Sequence, residues 1–179
     1  MTDSNSVMLR PVEASDIPAL AEWFRDEEFR GLFGYRLPIS SEYWPNWIGR
    51  NSEISYQRAV FMICKSGQHS DTVGMCWLRH GDQLNRTAEA AIGIARERRQ
   101  GMARSAILAL IRFGFETLGL NRVECRIADF NTPSKQLALS VGGVEEARLR
   151  CAYYWNGEFH DLCIFGMLRS DFDRLHGQA

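Results

Sequence analysis

The most constraining feature of this sequence is a change of hydrophobic period in the middle of the chain. Residues 87–95 predict a strand, and a basic turn follows at once. From Ala103 to Leu118 the apolar residues recur every three or four positions, which predicts a long helix with one apolar stripe. Gly119 ends that helix. Because such a stripe must be buried, the strand–turn–helix unit predicts a sheet covered by helices.

Shorter patterns predict the remaining elements. Runs of β-branched and aromatic residues favour strands, and Asn156-Gly157 between the last two strands is a strong hairpin signal. The order predicts a mixed α/β (α+β) fold, with a sheet flanked by helices, in a single domain spanning residues 1–179. Further strands are expected near 8–12, 59–64, 72–78, 122–128, 144–155 and 158–168, and helices from Ser15, from Ser40 or Ser41, and from Thr132 (as the cap) to Gly142-Gly143.

Composition excludes several classes of function. The net charge is −1, which argues against a nucleic-acid partner. The longest apolar run in the middle of the chain, Ala106–Ile111, is far shorter than the roughly 20 residues of a membrane-spanning helix, and no secretory leader is evident. Five scattered cysteines without a C-x-x-C pair predict reduced thiols in a cytoplasmic protein. The spacing of cysteines and histidines matches no common zinc pattern, so no metal is expected.

The basic turn before the long helix is the segment with the clearest chemistry. Arg96, Arg98, Arg99 and Arg104 surround Gly101, the densest positive charge in the chain. Free N–H groups at a helix start bind anions, and a glycine permits close backbone approach. The turn is therefore a candidate diphosphate site, or else a solvated arginine-rich turn. It is neither a P-loop nor a Rossmann fingerprint.

Several motifs together resemble the GNAT acyltransferase family. Arg98-x-x-Gly101-x-Ala103 matches its acyl-CoA-binding motif, [QR]-x-x-G-x-[GA]. Asn131-Thr132-Pro133-Ser134 is similar to the N-x-x-S element of the branch that resembles ribosomal-protein N-terminal (alanine/serine) acetyltransferases. The hairpin Trp155–Asp161 is similar to that branch's closing N-G-x-x-x-D element. The resemblance extends over about Met8 to Phe172.

The resemblance implies a donor and a site. The sheet would be mostly antiparallel and splayed between the fourth strand, 87–95, and the fifth, 122–128. Acetyl-CoA would enter this opening as co-substrate, without a metal. The implied acetyl-CoA-binding residues are Ile94, Arg96, Arg98, Arg99, Gln100, Gly101, Met102, Ala103, Arg104, Asn131 and Ser134.

Two residues are candidates for catalysis. Glu89 shares a strand face with Ala91 and Gly93, and it is a candidate base because the family's usual glutamate position holds Ala91. Alternatively, a chain of water molecules removes the proton from the amine, and Glu89 is only a solvent-facing carboxylate on the strand. Ser134 is the candidate proton donor to the thiolate, because the family's tyrosine position holds Ala138. Alternatively, Ser134 is an ordinary polar residue in the first turn of a helix.

The resemblance implies an N-acetyltransferase that moves an acetyl group from acetyl-CoA directly to a primary amine in a ternary complex. The amine would be a protein N-terminus or a small molecule, and the branch suggests a homodimer. A non-catalytic acyl-CoA sensor or scaffold is the alternative. An aromatic cluster either packs in the core or lines the acceptor pocket, and it comprises Tyr35, Tyr43, Trp44 and Trp47.

Overall fold

The computed structural model describes residues 7–96 and 101–177, and its centre is a seven-stranded sheet. The strands lie in the order β1-β2-β3-β4-β5-β7-β6, and every neighbouring pair is antiparallel except the parallel pair β4 and β5. The prediction of a mixed fold with a mostly antiparallel sheet is confirmed. The strands are β1 Val7–Pro11, β2 Arg58–Lys65, β3 Thr72–Asp82, β4 Thr87–Ile94, β5 Arg122–Ala128, β6 Val144–Trp155 and β7 Glu158–Leu168.

Helices cover both faces of the sheet. On one face α4 buries its apolar stripe against the even-numbered residues of β4, so that Ala88, Ala90, Ala106 and Leu110 belong to one core cluster. On the other face the three N-terminal helices pack a second cluster against β2 and β3. The helices are α1 Ile17–Trp23 (after a 3-10 turn at Ala14–Asp16), α2 Glu27–Leu32, α3 Tyr43–Asn51, α4 Met102–Glu116, α5 Thr132–Ser140 and α6 Arg169–His176.

The hairpin between β6 and β7 has the predicted turn. Asn156 and Gly157 both adopt positive φ, 49° and 84°, as a two-residue type I′ turn requires. Further along β6 the register shifts between Leu149 and Tyr153, and Cys151 has a φ of 51°. A carboxylate oxygen of Asp161 accepts a hydrogen bond from the Cys151 N–H at 3.1 Å, so Asp161 braces this irregular stretch.

Five helices differ from prediction, and the first of them, α1, begins at Ile17 with Asp16 rather than Ser15 at its N-cap position. Helix α2 is not predicted, because six residues give little periodicity; Asp26 caps it by accepting from the Phe29 N–H at 3.2 Å. Helix α3 has Glu42, not a serine, at its N-cap position, and the Glu42 side chain makes no capping hydrogen bond. The cap of α5 is Asn131, one residue before the expected Thr132, because its side chain reaches the Ser134 N–H at 3.1 Å. Helix α6 is likewise not predicted. No helix in residues 7–96 or 101–177 is long and apolar enough to cross a membrane.

Candidate functional site

The basic turn ends at Gly101, which begins helix α4. Gly101 has a φ of 76°, a conformation that side-chain-bearing residues rarely adopt. The Met102 side chain is buried in the core, so only the backbone of this residue is available to a ligand. The first N–H groups of a helix have no partner within it, and those of Met102 and Ala103 are in that position. Arg98, Arg99 and Gln100 lie outside the described residues.

The two described arginines beside this turn already contact the protein. The Arg96 guanidinium donates to the Thr72 carbonyl at 2.5 Å and to a carboxylate oxygen of Asp71 at 3.2 Å. The Arg104 guanidinium donates to the Ser140 carbonyl at 3.4 Å, which ties α4 to the end of α5. Both side chains keep exposed surface, so they are positive charges at the edge of the turn.

A second helix start lies at the same edge of the sheet. Strands β4 and β5 are parallel, so their carboxyl ends meet at one edge, and α4 and α5 begin just beyond those ends. At the start of α5, the Asn131 side chain is occupied as cap. Ser134, half-buried in the first turn, has no hydroxyl partner among the described residues. Both helices therefore begin beyond the same edge of the sheet.

The pairing of β4 with β5 is short. The ladder joins only Thr87–Glu89 to Arg122–Glu124, whereas β4 continues to Ile94 and β5 to Ala128. Beyond Glu89, the ladder of β4 runs only to β3, up to the pair Gly74 and Ile94. The ladder between these two strands thus ends at Glu89, and both strands continue toward the edge where α4 and α5 begin.

Glu89 lies at the last pair of this ladder. Its carboxylate is 3.6 Å from the Nε of Arg126, and the same Nε is 3.8 Å from Glu124. Ala91 belongs to the cluster under α1–α3, and a Cβ on Gly93 would lie 2.6 Å from a ring atom of Phe33 in that cluster. Glu89 therefore faces the α2 side of the sheet together with these two residues, as strand alternation predicts.

The tip of the β6–β7 hairpin packs against α2 and the loop after it. A Cβ on Gly31 would lie 2.9 Å from the Trp155 ring. The Arg36 guanidinium stacks 3.9 Å above the Tyr153 ring and 5.1 Å from that of Trp155. The hairpin therefore closes this side of the site. Asn156-Gly157 predicts the tip itself, but no sequence signal indicates its contact with Gly31.

Sequence reasoning missed a histidine–carboxylate pair at the end of β5. The Nδ1 of His160 lies 3.6 Å from Oδ1 of Asp129, which is buried and has no hydrogen-bond partner in the described structure. The Phe130 ring packs edge-on against His160, with centroids 4.7 Å apart. A histidine backed by a carboxylate can carry a proton. Strand alternation was the available signal, because it places the consecutive residues His160 and Asp161 on opposite faces of β7.

A cavity of about 500 Å³ lies between α3 and the far ends of β2 and β3. The hydroxyls of Tyr35 and Tyr43 are 3.0 Å apart, and Trp47 donates to Tyr35 at 3.0 Å. Burial, and next the hydrogen bond with Tyr35, raise the pKa of the Tyr43 hydroxyl. Of the aromatic cluster, Trp44 is wholly core and the other three line the cavity. We call this space the arginine-lined cavity. Its lining residues are Tyr35, Tyr43, Trp47, Arg50, Asn51, Gln57, Arg58, Arg79, His80 and Gly81.

Metal ligands are not grouped in the described part of the chain: no three His, Cys, Asp or Glu side chains there are placed to hold an ion.

Comparison with known proteins decides the family. The family described as Acetyltransferase (GNAT) domain matches residues 6–144. The chain belongs to the GNAT acetyltransferases. A Bacillus subtilis (strain 168) protein provisionally named a ribosomal N-acetyltransferase, YdaF, is 30% identical over 176 residues, covering 93% of each chain. The uncharacterized N-acetyltransferase YokL of the same organism, derived from the SPbeta prophage, is 27% identical over 173 residues, covering 96% of this chain and 95% of that one.

A solved structure shows the same fold. The spermidine N-acetyltransferase of Vibrio cholerae, in complex with CoA and spermine, superposes with a TM-score of 0.85 at 21% identity, covering 93% of this chain and 98% of that chain. At this identity the likeness concerns the fold.

Proposed function

We propose that this enzyme transfers an acetyl group from acetyl-CoA directly to a primary amine, with both substrates bound at once. The observation that carries the proposal is that α4 and α5 both begin beyond the carboxyl edge of the parallel strands β4 and β5, where their ladder has ended. The amine belongs to a protein N-terminus or to a small molecule. The names of the relatives as N-acetyltransferases support the reaction type.

The donor site fits a diphosphate bound to backbone. The left-handed Gly101 turn and the first N–H groups of α4, from Met102 and Ala103, suit an anion at a helix start. Arg104 and Arg96 add positive charge at its rim, and Arg98, Arg99 and Gln100 belong to the same proposed set. The part of β4 beyond its ladder with β5, which ends at Ile94, would lie along the pantetheine arm. Asn131 would meet that arm at the start of α5.

Acetyl-CoA supplies an activated thioester: the amine nitrogen bonds to its carbonyl carbon, the carbon–sulfur bond breaks, and the amine gives up one proton. Glu89 is the proposed acceptor of that proton, directly or through water, because it faces the α2 side at the end of the ladder. Ser134 is the proposed donor to the departing thiolate. Its hydroxyl lies in the first turn of α5, beside the proposed arm.

A calorimetric titration with acetyl-CoA, followed by mass spectrometry of an amine panel, tests this function. We expect near-stoichiometric binding and a gain of one acetyl group on an acceptor. Binding without transfer to any amine would favour the non-catalytic sensor or scaffold. No binding by the folded protein would overturn the donor site.

The single domain, the homodimer and the cytoplasmic location stay predictions. The first is supported by the one sheet that extends from β1 to β7.

A further inference from the structure

We propose that the acceptor is a small amine that also carries a carboxylate, and that the arginine-lined cavity binds this carboxylate. The inference rests on the proposed function and names the substrate class of the same site. It starts from the charge of the cavity. Its described lining includes three guanidinium groups, from Arg50, Arg58 and Arg79, and no Asp or Glu. Such a wall attracts anions and repels polycations.

Arg79 is the central residue of this wall. Its guanidinium lies 3.4 Å from the centroid of the Trp77 ring, which holds the planar group in one orientation. Its Nε atom is buried and has no hydrogen-bond partner in the described structure. A buried donor without a partner is unfavourable, and a carboxylate matches the guanidinium fork with two parallel hydrogen bonds. A bound carboxylate would therefore satisfy a donor that the protein leaves unpaired.

Asn51 supplies the complementary group. Its side chain is 4% exposed, and its Nδ2 donates to the Trp47 carbonyl at 2.6 Å. Because a carbonyl only accepts, this bond fixes which end of the amide is the NH2 group. The Oδ1 atom points away from the Trp47 carbonyl and can still accept a hydrogen bond. That Oδ1 has no partner among the described residues. Two residues of the lining thus carry an unpaired donor and an unpaired acceptor, which suits a ligand with an anionic group and an N–H or O–H group.

The position of Arg79 connects the cavity to the proposed reaction. In the β3–β4 ladder Arg79 pairs with Glu89, so the two side chains leave adjacent strands on the same face. Directly opposite residues in antiparallel strands have Cβ atoms roughly 5 Å apart. A carboxylate in the cavity would therefore hold its amine next to the proposed base. Tyr35, on the cavity wall, belongs to the segment that joins α2 to α3 and is followed by Arg36 at the hairpin.

Matched amines test the inference. The pairs are 4-aminobutyrate with butylamine, which lacks the carboxylate, and 4-aminobutyrate with 1,4-diaminobutane, which replaces it by a cation. We expect kcat/KM for 4-aminobutyrate to exceed that for either partner by about tenfold or more, since a charge-assisted hydrogen bond contributes at least that factor. In Arg79→Gln the preference should fall toward unity, mainly through KM. Arg50→Gln, at an exposed arginine, should weaken it without risk to the fold.

Arg174→Gln serves as the control, because this exposed arginine on α6 pairs with Asp171 away from the cavity. It should leave the preference unchanged. Faster acetylation of 1,4-diaminobutane or butylamine, or an undiminished preference in both cavity variants, would overturn the inference and leave the proposed function intact. Failure to acetylate any member by an enzyme that binds acetyl-CoA would overturn it too. Failure to bind acetyl-CoA at all would instead count against the proposed function.

Discussion

Glu89 and Arg126 face each other across the two parallel strands, with 3.6 Å between the carboxylate and the guanidinium Nε. Glu89 is the last residue of β4 in the ladder with β5, so the ion pair marks where the pairing ends. The Glu89 side chain is 29% exposed, which leaves it accessible to an incoming amine. The carboxylate is thus both held by a neighbouring charge and partly exposed.

Replacing Glu89 by glutamine should slow turnover by roughly 10²-fold or more, because general base catalysis commonly contributes that much. Acetyl-CoA binding should change little. The acid limb of the kcat/KM profile against pH should also disappear if Glu89 is the base. Steady-state rates between pH 5 and 9 measure both effects.

Glu124→Gln provides the matched control for that experiment. Glu124 pairs with Glu89 in the ladder and lies 3.8 Å from the same Arg126 Nε, but it is no part of the proposed machinery. It should keep nearly full turnover. Equal losses in the two variants would assign the effect to the charge balance around Arg126 and would remove Glu89 from the mechanism.

Gly101→Ala should weaken acetyl-CoA binding by about fivefold or more. A side chain at a φ of 76° costs roughly 1 kcal/mol, so the turn would relax and misdirect the N–H groups at the start of α4. Calorimetric titration measures the affinity, and Gly101→Trp should abolish binding through its bulk. Gly67→Ala, at a φ of 80° in the turn between β2 and β3, imposes the same strain away from the site. Equal affinities for the Gly101→Ala and Gly67→Ala proteins would refute the donor assignment.

Sequence reasoning succeeded where a pattern is local. Strand β5 is recovered from Arg122 to Ala128 because Gly119 and Pro133 bound it on either side, and the hairpin follows from Asn156-Gly157. The helix α2 was missed because its six residues, from Glu27 to Leu32, complete fewer than two turns, and its acidic start resembles a solvated run.

The part of the candidate site that lies in one short segment was predictable, and the part formed by distant segments was not. The motif around Gly101 predicts the proposed donor side, because its chemistry depends on neighbours in sequence. Other features around the candidate site depend on contacts between distant segments, such as Arg36 on Tyr153 and Asp129 beside His160. No single-sequence pattern encodes those distances. The pairing of Arg79 with Glu89 likewise emerges only once the strand register is known.

Ser134→Ala should lower kcat several-fold and leave the affinity for acetyl-CoA nearly unchanged. The hydroxyl has no described partner within the protein, whereas the backbone N–H still bonds to Asn131, so the helix start should remain intact. Ser140→Ala is the control on the same helix, since its hydroxyl only donates to the Leu137 carbonyl at 2.8 Å. Identical kcat values for the two variants would return Ser134 to a purely local role.

The ion pair of Arg122 with Glu146 should make the free energy of unfolding depend on pH in the acidic range. The guanidinium contacts both carboxylate oxygens, at 2.8 and 2.5 Å, and these hydrogen bonds hold the pKa of Glu146 below its usual range. A lowered pKa in the folded state means that the stabilisation is present above the unfolded pKa of about 4.3 and is lost as pH falls through the folded value. The Glu146 side chain is 38% exposed, so solvent screening limits the contribution to about 1 kcal/mol or less.

Urea unfolding of the Glu146→Gln protein measures this effect. At pH 7 the variant should be less stable than the parent by up to about 1 kcal/mol, and the difference should shrink below pH 4 and in high salt. Glu158→Gln, at an exposed position beside the hairpin turn, should show no such acid dependence. A stability difference that persists undiminished at pH 3 would mean that Glu146 acts through packing against Gly166, where its carboxylate occupies the space of a Cβ, rather than through charge.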